Sequence, residues 1–114
     1  YLLAACTAME TGNGSYDAQL AVASCIINRV KSKHWGKSIS SVIYADDQFP
    51  GASSGLLDSF LAQGPSKTAL KASKDALCGS NNIGDYLYFN STKRISPVDY
   101  SSYKIVGGNC FYKK

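Results

Sequence analysis

At 114 residues, 45% hydrophobic and 18% charged, the chain has the size and composition of one ordinary globular domain. Its net charge of +4 suits attraction to an anionic surface, but the basic residues are scattered and no nucleic-acid motif is present, which argues against a nucleic-acid partner. No stretch reaches the roughly 18 apolar residues needed to span a membrane, and Tyr1-Leu2-Leu3-Ala4-Ala5-Cys6 lacks a basic leader, so the chain reads as a mature domain cut from a longer precursor.

The first predicted element is an apolar helix over Tyr1 to Met9, which breaks into the turn Thr11-Gly12-Asn13-Gly14. Ser15 is a natural N-cap, with Asp17 complementing the dipole, for a second helix running to about Lys33 whose apolar positions Leu20, Ala23, Ile27 and Val30 recur at helical spacing. Short helices follow near Ser40 to Tyr44 and Leu56 to Ala62. Gly64-Pro65-Ser66 then stops one helix and caps the next, Lys67 to Leu77, which Gly79 terminates. From there the character changes. Tyr86 to Asn90 is rich in strand formers, and Lys104-Ile105-Val106 is joined to Cys110-Phe111-Tyr112 by Gly107-Gly108, a hairpin signal. The expected fold class is α+β, a helical body with a short antiparallel β-sheet, in a single domain over residues 1–114.

Glu10 stands out. It is the only glutamate, placed where the first helix opens into glycines, so its carboxyl group can lie at the floor of a cleft with no bulky neighbour in front. A carboxylate at a helix C-terminus is usually a solvated side chain, and the dipole disfavours it there by up to about 1 kcal/mol; that unfavourable placement calls for a reason. The four cysteines, Cys6, Cys25, Cys78 and Cys110, contain no close pair, and the single His34 sits in a polar loop, so neither a metal site nor any other cofactor is expected. Two disulfides with three pairings are possible. A bridge between Cys78 and Cys110, both expected near the surface, would add about 2–4 kcal/mol if it forms; Cys6 and Cys25 read equally well as small core residues.

The run Glu10-Thr11-Gly12-Asn13-Gly14-Ser15-Tyr16-Asp17-Ala18-Gln19, with Asn28-Arg29-Val30 closing the helix, resembles the SleB-like family of cell-wall hydrolases, the spore-cortex-lytic enzymes. Further matches fall in the family's order: Ser41-Val42-Ile43-Tyr44 with Gln48-Phe49, Gly64-Pro65-Ser66, Asp75-Ala76-Leu77, Gly84-Asp85 with Phe89-Asn90, and Gly107 to Tyr112. Two positions depart from the pattern. Asn109 stands where the family usually has His, and Gly14 where it often has a second Glu, so no role of either carries over. Asn109 still donates and accepts hydrogen bonds but does not titrate.

The resemblance implies a lysozyme-like layout with Glu10 as the catalytic acid. Hydrolysis of a glycosidic bond normally needs a second carboxylate, and Asp46, Asp47, Asp85 and Asp99 sit in no motif that argues for the role; Asp46 and Asp47 read first as solvated loop charges. A lytic transglycosylase needs one carboxyl group only, used as acid and then as base, and the resemblance points to that reaction on peptidoglycan, between N-acetylmuramic acid and N-acetylglucosamine. Gln48 and Asn90 are the first candidates for substrate binding, with Tyr16 and Tyr88 behind them. Gln19 and Asn28 read also as loop braces, Phe49, Phe89 and Phe111 as core, and Trp35 as packing under a loop. The partners so implied are peptidoglycan glycan strands, met by a monomer acting outside the cell in cell wall or spore cortex. A muramidase hydrolase and a non-catalytic wall-binding module are the alternatives.

Overall fold

The computed structural model describes residues 1–45, 49, 51, 54–92 and 102–113. Helix α1 (Leu2–Thr11) is buried continuously from Leu3 to Met9, as expected of a helix apolar all round. Its small residues Ala4, Ala5 and Ala8 lose all exposure, which lets neighbouring helices approach closely. Those neighbours are α2 (Tyr16–Ser32), α4 (Leu56–Gln63) and α5 (Lys67–Leu77), with the short α3 (Ile39–Ile43) beside α2.

Hydroxyl caps set the starts of three of these helices. Ser15 accepts from the Ala18 N–H at 3.2 Å, Ser66 from Ala69 at 3.1 Å, and Ser38 from Ser41 at 3.1 Å, where Ser41 closes a reciprocal box. Each such cap is worth about 1 kcal/mol over alanine. The main core joins these helices through Leu20, Val22, Ile26, Val42, Ile43, Leu57 and Phe111. Fully buried side chains of this kind contribute roughly 1.5–3 kcal/mol each.

The sheet has the strand order β1-β3-β2, all antiparallel, with β1 at Tyr88–Ser91, β2 at Ser102–Val106 and β3 at Asn109–Lys113. Residues 107 and 108 turn β2 into β3. Phe89 and Phe111 pair across strands and stack at 5.4 Å, and Phe111 is wholly buried. The α+β architecture and every expected helix are therefore present.

Two expectations need correcting. The strand expected from Tyr86 begins at Tyr88, because the carbonyls of Gly84, Tyr86 and Leu87 are taken by α2: Asn28 Nδ2 donates to Gly84 and Tyr86 at 2.8 and 2.9 Å, and Arg29 Nε donates to Leu87 at 2.7 Å. Second, all four cysteines are free thiols, and no bridge joins the exposed Cys78 to Cys110. Cys110 is fully buried, since the last strand inserts between the other two. Cys6 and Cys25 are core residues, the second of the two readings open for them.

Candidate active site

The last turn of α1 ends in a Schellman arrangement that fixes Glu10. Gly12 is left-handed at φ 61°, ψ 43°, its N–H donating to Met9 O, and the next N–H, from Asn13, donates to Ala8 O at 2.8 Å. Asn13 is itself left-handed at φ 58°, a conformation Asn tolerates better than most side chains. Glycine and asparagine thus reverse the chain directly after the glutamate.

Beneath this turn lies a buried polar chain. The Gln19 side chain has no exposure; its Nε2 donates to Gly14 O at 2.9 Å, and its Oε1 accepts from the Thr7 hydroxyl at 3.3 Å. Thr11 contributes a parallel link, donating to Thr7 O at 2.8 Å and accepting from the Gly14 N–H at 3.1 Å. Glutamine and threonine on facing helices therefore hold the turn between α1 and α2 in one shape. Gln19 is a brace and not a sugar ligand, and Asn28 braces the segment before β1 in the same way.

Between this turn and the β2–β3 hairpin opens a cleft of about 290 Å³ lined by Glu10, Thr11, Gly14, Ser15, Ala18, Gly107, Gly108 and Asn109. Residues 107 and 108 belong to the exposed turn, so this wall is largely backbone. Gly107 is needed for two reasons: its φ is +61°, and a Cβ there would lie 2.9 Å from Ala18 Cβ. The hairpin tip consequently rests directly on the first turn of α2. Among the described residues, Glu10 is the only carboxylate in the lining.

The other candidates fall elsewhere. Tyr16 starts α2, but its hydroxyl donates to Asp75 at 2.5 Å and Lys71 Nζ lies 5.7 Å from its ring centroid, so it faces α5. Tyr88 stacks on Tyr112 at 5.6 Å and meets Trp35 edge-on at 5.7 Å. Asn90 pairs with Cys110 on the same strand pair, and neither Tyr88 nor Asn90 lines the cleft. Asp85 is exposed and also outside the lining. Gln48, Asp46, Asp47 and Asp99 lie outside the described residues. Trp35 packs as anticipated, with the Arg29 guanidinium 4.9 Å above its ring and 5.3 Å from that of the buried Phe49.

The buried thiols offer no nucleophile. Burial pushes the Cys6 thiol far above its ordinary value, the nearby Glu10 carboxylate adds to this, and Arg29 offsets it in part. Burial likewise pushes Cys25 up to about 11 despite the charge and hydrogen bond of Arg29. A thiolate is the reactive form, so these two cysteines are held inert. Among the described residues no group of His, Cys, Asp and Glu could hold a metal ion.

The cell wall hydrolase family profile matches residues 13–112, nearly the whole chain. The chain belongs to the cell wall hydrolase family. The match begins three residues after Glu10, at the glycine turn itself. A spore cortex-lytic enzyme of Bacillus cereus is 35% identical over 80 residues, which cover 70% of this chain and 29% of that protein. The chain thus spans under a third of the length of this curated relative. Among solved structures, the catalytic domain of the germination-specific lytic transglycosylase SleB from Bacillus anthracis superposes with a TM-score of 0.80 at 28% identity, covering 98% of this chain and 91% of that one. The catalytic domain of Bacillus cereus SleB does so with a TM-score of 0.82 at 29% identity, covering 98% and 87%.

Asn109 is not among the site residues read from sequence, and Gln19 is read there as a loop brace without its partner Thr7. The signals are a departure from the family pattern at 109 and a polar residue between Ala18 and the apolar run Leu20 to Ala23, but their meaning depends on contacts 12 residues apart or more.

Proposed function

We propose that this domain cleaves peptidoglycan glycan strands between N-acetylmuramic acid and N-acetylglucosamine as a lytic transglycosylase, acting outside the cell on wall or spore cortex. The observation that carries the reading is Glu10 as the only carboxylate lining the cleft among the described residues, on a turn over-determined by hydrogen bonds. The similarity to the catalytic domain of a germination-specific lytic transglycosylase supports it.

In the first step the protonated Glu10 gives its proton to the glycosidic oxygen as that bond breaks. In the second, the Glu10 carboxylate takes the proton of the muramic sugar's own hydroxyl as its oxygen bonds to the anomeric carbon, closing an anhydro ring. The proton returns to Glu10 and no water is consumed. One carboxyl group serves both steps, acid and then base. Tyr88 and Asn90, which lie off the cleft lining, and Gln48 are kept as candidates for binding the strand farther from the cut; Tyr16, whose hydroxyl is taken by Asp75, is left out of that set.

The test is product analysis by mass spectrometry after digestion of purified peptidoglycan in heavy-oxygen water. Anhydro-muramic ends, one water lighter than hydrolytic products and free of label, are expected; Glu10→Gln should lower the rate by ~10²–10⁴-fold with the fold intact. Labelled reducing ends would make the enzyme a muramidase hydrolase, and binding with no cleavage would leave only a wall-binding module.

A further inference from the structure

Among the described residues, four polar side chains line the cleft, those of Glu10, Thr11, Ser15 and Asn109. Two of them serve the protein. The Thr11 hydroxyl is used by Thr7 O and the Gly14 N–H, and Ser15 Oγ accepts the Ala18 N–H as the cap of α2. Asn109 is different. It begins β3 on the hairpin wall, half-buried, and its side chain makes no hydrogen bond among the described residues.

A carboxamide carries two N–H donors and an acceptor oxygen, and polar groups in partly desolvated sites are normally satisfied. In this cleft the unspent capacity points at whatever occupies the space beside Glu10. The hairpin side of the cleft offers no charge among its described residues: Gly107 and Gly108 present backbone alone, and the amide does not ionise. The natural complement of a neutral group that both donates and accepts is another amide, and both sugars of a peptidoglycan strand carry one.

We propose that Asn109 is a substrate-positioning residue that hydrogen-bonds the acetamido group of the sugar beside the scissile bond, so that the hairpin wall selects N-acetylated glycan while Glu10 acts on the bond. The inference rests on the function proposed above. It assigns the wall's specificity to one side chain held in place by the Gly107–Ala18 contact.

The experiment compares wild type and Asn109→Ala on intact peptidoglycan and on peptidoglycan whose N-acetyl groups have been removed chemically. Wild type should prefer the acetylated polymer, and Asn109→Ala should lose about tenfold in kcat/KM on it, largely through KM, while its preference shrinks toward unity; a neutral hydrogen bond left unmade at a site built for it supports an effect of about this size. Asn109→Asp, which keeps the shape and loses the donors, should behave like the alanine variant. Should Asn109→Ala keep both the wild-type rate and the full acetyl preference, this inference falls and the proposed function stands. Should wild type itself release no fragments from intact peptidoglycan, the functional reading falls first and takes this inference with it.

Discussion

The two walls of the Glu10 cleft are built by opposite means. The helical wall ends α1 in a Schellman turn and ties that turn to α2 through Thr7, Thr11, Gln19 and Gly14, with Thr7 and Gln19 wholly buried. The hairpin wall is exposed at Gly107 and Gly108 and touches α2 where Gly107 meets Ala18. In the proposed mechanism Glu10 transfers protons and has to be held to a fraction of an ångström, and it sits on the wall whose geometry is fixed several times over. The hairpin wall, which the proposal gives to substrate binding, is backbone and one amide among the described residues. Changes there can retune what is bound without moving the acid.

The largest effect expected from breaking this asymmetry is at Gln19. Gln19→Leu keeps the volume but leaves the partly buried Gly14 O without its donor and the Thr7 hydroxyl with Ala4 O alone, and an orphaned group of this kind costs about 1–3 kcal/mol. We expect a loss of about 1–3 kcal/mol in chemical denaturation and at least a tenfold fall in peptidoglycan clearance, because the turn beside Glu10 loses its brace. A Gln19→Leu protein as stable and active as wild type would mean that the helical wall needs no such bracing.

The hairpin wall should respond less in stability while losing function to a similar degree. Gly107→Ala places a Cβ 2.9 Å from Ala18 Cβ at a φ of +61°; the left-handed backbone alone costs roughly 1–2 kcal/mol for a residue with a Cβ. The tip must lift from α2, so activity should fall by about tenfold while the helical body melts cooperatively. Gly108→Ala is the control. A Cβ there meets nothing within 4 Å, and stability should stay within about 0.5 kcal/mol of wild type. Equal behaviour of the two variants would show that the tip is not seated where the Gly107 contact puts it.

The same division explains what could be read from sequence. Helices α2 and α5 were legible because their signals are local: Ser15 and Ser66 at the caps and a repeat of apolar residues. Glu10 was legible because the glycines that free its surroundings follow it directly. What escaped depends on distant partners. Tyr86 and Leu87 have strand-forming side chains, but their carbonyls are claimed by Asn28 and Arg29 from a helix more than fifty residues earlier. Cys110 was expected near the surface because it lies near the end of the sequence; the last strand is nevertheless the central one of the sheet. Asn109 was visible as a departure from a pattern, and only the fold brings it to a cleft with a residue at position 10.

The smallest effect, and the one that sharpens the comparison by lying outside both walls, is expected at Tyr16. Its hydroxyl donates to Asp75, which Lys71 also contacts at 3.1 Å. The Tyr16 hydroxyl, followed by Lys71, holds the Asp75 carboxyl below the usual range, and the hydrogen bond to Asp75 raises the Tyr16 phenol above its own. The signs fix the pH window. The Asp75 contribution is present above the ordinary carboxylate value near 4 and fades as pH falls through the lowered folded value; the Tyr16 contribution is present below the ordinary phenol value near 10 and fades as pH rises through the raised one. Tyr16→Phe should therefore melt about a degree or two below wild type on a plateau from roughly pH 5 to 9, the gap closing on both flanks and shrinking with salt, as solvent-screened pairs do. A gap that widens toward acid would contradict the pairing. Because the hydroxyl is spent on α5, activity should stay within about twofold of wild type, well under the effect of a lost substrate contact; a tenfold loss of kcat/KM at unchanged stability would put Tyr16 in direct contact with the glycan after all.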